Sequence, residues 1–330
     1  MKKSLISASL LLISTSLIYG NNNQHSLIQN TSDTSVDTSV NTYKTVSLTT
    51  KSGATLQGNK NGLKIFNNTT SFNVPIFKSN NDLDIYALAE QSDGKIIIGG
   101  NFDTVDGYKI KDLVRLNLDG SVDKSFISNY SGFNGAVYAL KILQDDSILV
   151  GGYFTELGAK KVSKGFVKLT DDGSIDTTYS ELNTYMVSIV NDIKTINNKI
   201  FLAGTFIKNK NEDNQQAILS IDESGELNKE FSKNVQNIEG EAFKIATQNT
   251  SLVLAGDLSV KDNDALLNII KMDTSGHIDS NFSVPDIQGF IFDAKYKNDT
   301  LIIGGELIIK NKSGLTKKTN TALVNTKKGR

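Results

Sequence analysis

The chain has 330 residues, 38% apolar and 22% charged, which is ordinary for a globular protein and enough to bury a sizeable core. With no cysteine, no tryptophan and two histidines, disulfides, thiolate catalysis and Cys-based metal centres are excluded, and His-based chemistry has almost no material. A formal charge of −1 gives no global pull towards nucleic acid or an anionic membrane.

Lys2 and Lys3 precede an apolar run over 4–19 that ends at Gly20. A short positive region, an apolar stretch and a small residue are the parts of a secretory signal peptide. The run is shorter than the roughly 20 apolar residues that span a bilayer and is broken by serines. Residues 1–20 are therefore expected to be cleaved on export, leaving no membrane span. Residues 21–44, rich in Ser, Thr and Asn, cannot bury enough apolar surface to fold and read as a disordered polar linker carrying His25. Residues 45–330 are expected to form the folded domain.

That domain is repetitive. The strings IIIGG (96–100), ILVGG (148–152), IFLAG (200–204), LVLAG (252–256) and LIIGG (301–305) place their last glycines 52, 52, 52 and 49 residues apart. An alternating stretch precedes each string, as at Tyr86 and Tyr138, with a tight turn between them. After the first four strings comes a second turn (at Gly120, Gly173, Gly225 and Gly276), and six residues beyond each glycine stands an aromatic: Phe126, Tyr179, Phe231 and Phe282. Each unit reads as four short antiparallel strands, A to D, joined by turns that need a positive φ. The repeats run over about 83–135, 136–186, 187–240, 241–290 and 291–330, and 63–77 aligns with strands C and D of a degenerate half-blade.

Four strands per repeat and no sustained helical period predict an all-β fold, a β-propeller of four-stranded blades. A β-solenoid or an open array of hairpins is the alternative. Either the half-blade supplies the strand missing after 322–325 and closes a ring, or the chain is cut from a longer one.

The pattern A-L-x-x-Q-x-D-G-K-I-x-x-G-G-x-F, then L-x-R-L-N-x-D-G-S-x-D-x-x-F, over 87–126 resembles the delta-60 repeat family of bacterial β-propeller repeats. The resemblance implies a secreted or surface bacterial protein and brings no established activity or catalytic residues.

No catalytic constellation emerges. Asp119, Asp123, Asp172, Asp176 and Asp279 sit at equivalent turns, where Asp commonly bonds its own backbone. The acidic turns do not fit the spacing of a calcium loop, and neither an enzyme nor a cofactor is expected. The B–C loops are long, variable and lysine-bearing, whereas the C–D turns are acidic and should lie on the opposite face. Loops on a rigid scaffold concentrate binding residues, so Tyr108, Lys109, Lys111, Lys160, Lys161, Lys164, Lys208 and Lys210 form the candidate binding face. The expected function is an exported scaffold, a monomer, binding a cell-surface polymer or protein. The alternatives are a structural spacer within a larger exported protein, or a polysaccharide-active hydrolase or lyase. The enzyme reading would require acidic residues converging away from the repeat-equivalent turns.

Overall fold

Antiparallel pairing starts well before the first glycine string. A computed structural model describes residues 45–325 apart from 68–70, 129–131, 178–184, 186, 209–214, 262, 283, 285–286 and 311–315. The expected signal peptide and linker, His25, Tyr179 and Lys210 lie outside the described residues. An N-terminal sheet orders Val46–Thr49, Thr55–Asn59 and Gly62–Phe66 as a meander. Where alignment gives only strands C and D of a half-blade, Gly62–Phe66 is thus the third strand of a sheet that begins at Val46. Its first two strands lack the apolar glycine string, and in them Leu56 is the only buried apolar side chain.

Each repeat then contributes strands A, B and C in spatial order. Strand A spans Asp84–Glu90, Val137–Ile142, Val187–Ile196, Ile238–Gln248 and Ile287–Lys297. Strand B spans Ile96–Asn101, Ile148–Gly152, Lys199–Ile207, Ser251–Val260 and Thr300–Lys310. Strand C spans Leu113–Leu116, Phe166–Leu169, Gln215–Asp222, Ile269–Asp273 and Thr316–Asn325. Strand B is apolar without alternation because both its faces are covered. In repeat two, Ile148 and Val150 join a core with the preceding repeat, while Leu149 joins one with Leu202 of repeat three. Phe201 and Leu254, then Val253 and Leu301, continue the series. Burying each such side chain stabilises by about 1.5–3 kcal/mol. Strand A of each repeat packs on strand A of the next, and strand C of repeat three also pairs with strand A of repeat four at Gln216 and Glu239.

The two glycines of each string have different tasks. A Cβ on the second (Gly100, Gly152, Gly204, Gly256 or Gly305) would fall onto a main-chain carbonyl oxygen of strand A or, at Gly152, of Ala136 just before it. At that level strand A carries a β-bulge in every repeat, which leaves one residue unpaired: Tyr86, Tyr138, Asn191, Phe243 and Phe292. The first glycine meets only side chains of the next repeat, Val137 and Leu140 for Gly99 and Val190 and Ile193 for Gly151, and alanine replaces it at Ala203 and Ala255.

Strand D differs most from expectation. It is a two-residue strand in repeat two, Ile175–Asp176, and a single bridge in repeats one, three and four (Val122, Leu227 and Ile278). In repeats one and three a short helix follows, Lys124–Ser128 and Lys229–Asn234. The cause is local: Asp123 Oδ1 accepts from Ser125 N, and Asn228 caps the second helix by accepting from Phe231 N. The helical turn, not a strand, carries Phe126 and Phe231 into the core.

Side chains of one repeat also reach turn carbonyls of the next. Gln91 Nε2 donates to Asp146 O and Asp171 O, and Arg115 Nη1 donates to Asp171 O. Further along, Lys199 Nζ donates to Thr274 O, Asn234 Nδ2 to Ser275 O and Gln248 Nε2 to Asn298 O.

Candidate functional site

The equivalent aspartates divide into two kinds. Asp119 and Asp172 hold their turns by accepting from Ser121 and Ser174, and the hydroxyls of Ser121 and Thr170 keep their carboxyls below the usual range. Where serine replaces that aspartate, Asp222 and Asp273 do the same work from two residues earlier. Asp123, Asp176 and Asp279 instead pair with a cation on strand C: Arg115 at 2.9 Å, Lys168 at 3.1 Å and Lys271 at 3.0 Å. Repeat three lacks both partners, with Ser220 and Asn228 in their places. Burial opposes ionisation of Asp123, but the Ser125 hydroxyl, Arg115 and Lys95 bring it down to about 2.

The loop lysines stand on more structure than a loop provides. In repeat one, Thr104–Val105 and Tyr108–Lys109 form a hairpin, and Phe77–Lys78 pairs with its first strand. In repeat two, Glu156–Leu157 pairs with Lys160–Lys161. Buried Val105, Ile110, Phe154 and Leu157 anchor these hairpins, while Tyr108, Lys109, Lys160 and Lys161 are exposed. Lys111 is exposed and lies 3.8 Å from Asp103. Lys164 is half-buried, donating to Tyr185 O, and Lys208 is exposed after a longer strand B. In repeat one, Lys124 Nζ at the start of the helix after strand D lies 5.4 Å from the Tyr108 ring centre of the hairpin. Asp106 and Tyr108 share an open cavity of about 720 Å³ with Asn117, Asp123 and Lys124.

A second group, absent from the sequence candidates, is built on the bulges. Tyr86 and Tyr138 meet edge to face at 5.2 Å, and Phe243 and Phe292 lie 5.8 Å apart. Phe290 stacks on Phe292, and both are exposed, at 43% and 37%. Asn191 Nδ2 donates to Glu241 Oε1 at 3.0 Å and to Ala242 O at 2.9 Å. Burial, with nearby Asp257, pushes the Glu241 carboxyl up despite the Asn191 bond. Burial first, then Glu241, Tyr153 and Asp112, push the Tyr138 phenol up to about 12. Only the bulge, invisible to periodicity, turns these residues out of strict alternation; the 52-residue interval between Tyr86 and Tyr138 was its one trace in the sequence.

Asp112 makes its own test. Burial raises its carboxyl to about 7, with Asp103 adding to the shift while the Phe102 N–H it accepts and nearby Lys111 oppose it. A folded pKa above the unfolded value of 3.8 means that the folded state binds the extra proton between them. Stability should therefore fall as pH rises from about 4 to about 7, by at most about 1.4 kcal/mol per pH unit. Asp112→Asn keeps the acceptor and tolerates the positive φ of 66°. It should unfold at higher denaturant than the parent at pH 8 and lose that slope; an unchanged pH profile would refute the assignment.

A family model described as a β-propeller domain of unknown function (DUF5122) matches residues 91–126 and 143–179, within repeats one and two. No curated protein matches. Among solved structures, the chain is similar to the extracellular domain of the hybrid two-component system BT3049 from B. thetaiotaomicron, at 14% identity and a TM-score of 0.47. That match covers 85% of this chain, which spans about a third (33%) of the other. Virginiamycin B lyase from Staphylococcus aureus matches at 16% identity and a TM-score of 0.48, covering 86% of each chain. Among the described residues, no helix is long and apolar enough to cross a membrane.

Proposed function

We propose that this protein is an exported binding scaffold, its sheets the blades of a propeller of delta-60-type repeats. Lysines on its B–C hairpins hold an anionic cell-surface polymer or the acidic face of a protein partner. The observation that carries this reading is the pair of anchored hairpins at 104–109 and 156–161. Their buried residues fix the backbone, so Tyr108, Lys109, Lys160 and Lys161 are presented without a large ordering cost on binding. Non-enzymatic binding by a monomer is the expectation.

The triple variant Lys109→Glu, Lys160→Glu and Lys161→Glu should lose at least ten-fold in binding to an anionic cell-envelope polysaccharide fraction, measured by biolayer interferometry. Parent binding should weaken with added salt. Equal binding by the folded variant and its parent would overturn the reading. A hydrolase or lyase acting on polysaccharide is the second reading, favoured by the raised carboxyls of Glu241 and Asp112, which are suited to a general acid. It requires release of reducing or unsaturated ends from such a polymer and loss of that release in Glu241→Gln.

A further inference from the structure

The bulge row has no role in the loop-face reading, and its chemistry points elsewhere. The unpaired residue of strand A recurs in all five repeats, and four of the five are aromatic: Tyr86, Tyr138, Phe243 and Phe292. An aromatic ring that serves only packing is expected to be buried, as Phe126 and Phe231 are. Tyr86, Tyr138 and Phe243 are instead half-buried, and Phe290 and Phe292 are exposed. The fifth residue, Asn191, is polar and grips Glu241 through one carboxylate oxygen, Oε1. Among the described residues, no donor reaches the other, Oε2.

The charged side chains that act on the two tyrosines and on Glu241 are carboxylates, while Lys194 and Lys244 beside the row are engaged by Asp192. Asp82, Asp84 and Asp112 act on Tyr86, while Glu241 and Asp112 act on Tyr138. Asp257 adds to the negative field at Glu241. Ring faces are electron-rich and attract cations, and more so beside carboxylates withdrawn from water. A neutral sugar would gain from the rings but leave that field uncompensated; an anion would be repelled.

We propose that Tyr86, Tyr138, Asn191, Phe243, Phe292 and Glu241 form a second binding site, which takes an organic cation bearing N–H donors: a protonated primary amine on an apolar stem. Glu241 Oε2 accepts from the ammonium group, the tyrosine faces solvate it, and the Phe243–Phe292–Phe290 platform covers the stem. This site uses none of the hairpin lysines and stands whether or not they bind a polymer.

The test is an NMR titration of the whole domain with Nα-acetyl-lysine methylamide, following tyrosine ring resonances. Its Nε-acetylated form, which has the same stem and no charge, is the control. The charged probe should shift the Tyr86 and Tyr138 signals saturably, with a dissociation constant in the millimolar range that suits a single weak contact point. The acetylated probe should leave them unmoved. Glu241→Gln should weaken binding at least ten-fold, and Phe292→Ala, at an exposed position that folding tolerates, three-fold or more. The hairpin triple variant should bind the amine as the parent does. Equal binding of the two probes, or parent-like affinity in Glu241→Gln with an unchanged melting curve, would overturn the proposal, as would the absence of saturable shifts.

Discussion

Replacing Asp192 by alanine should lower the stability of the fold by about 3 kcal/mol, the low end for a broken buried pair, because the Ile245 N–H loses its acceptor while the two half-buried ammonium groups keep some water. Asp192 follows the bulge of repeat three and is 5% exposed. Its Oδ1 lies 3.4 Å from both Lys194 Nζ and Lys244 Nζ, and its Oδ2 accepts from Ile245 N at 3.0 Å. One carboxylate thus joins strand A of repeat three to strand A of repeat four. Burial works against its ionisation, but the two ammonium groups and the Ile245 N–H outweigh it, and the carboxyl lies below its ordinary value. With the folded pKa depressed, the contribution is present above the ordinary value of 3.8 and lost as pH falls through the folded pKa. Urea unfolding at pH 7 should therefore show a large fall in midpoint for Asp192→Ala. The parent should lose stability below about pH 4 more steeply than the variant. A variant within 1 kcal/mol of the parent (about one-third of the expected loss) would sink the assignment.

The glycine strings give the second large effect, and it is a contrast. Gly204→Ala should cost about 3 kcal/mol or abolish folding, because its Cβ would lie on the carbonyl oxygen of Ile189 and 3.2 Å from the Cα of Val190. Those are backbone atoms of a bulged strand and have nowhere to go. Gly99→Ala should cost less, about 1 kcal/mol, since its Cβ meets only side-chain atoms of the next repeat, those of Val137 and Leu140, and small shifts between the sheets can accommodate them. Repeats three and four already carry alanine there. Comparing the two melting temperatures separates the roles of adjacent glycines, and equal losses would show that the bulge does not depend on the second one.

Much of the architecture was legible because it is written in backbone chemistry. Apolar strings ending in glycine marked strand B, and Asp-Gly turns marked the step after strand C. The N-terminal strands were not legible, since Val46–Thr49 and Thr55–Asn59 lack that string. Strand D is a strand in repeat two alone; in repeats one and three a bridge and a helical turn occupy the same few residues, and the caps at Asp123 and Asn228 resemble turn residues. The turn aspartates concealed a division of labour that only distances show, between Asp119 holding a turn and Asp123 pairing with Arg115. The aromatic and acidic row was hidden for a different reason. A bulge inverts the two-residue alternation on which strand reading relies, and partners such as Tyr138 and Glu241 lie two repeats apart.

The contacts between repeats have a consequence for how such a chain can grow. Gln91, Arg115, Lys199, Asn234 and Gln248 donate across the boundary to carbonyl oxygens, which every amino acid supplies. A repeat copied and inserted beside another would find those acceptors in place whatever its own side chains had become. The donors can likewise drift from Gln to Lys or Asn without a matching change next door. Tolerance of unequal duplication is thus built into the joints.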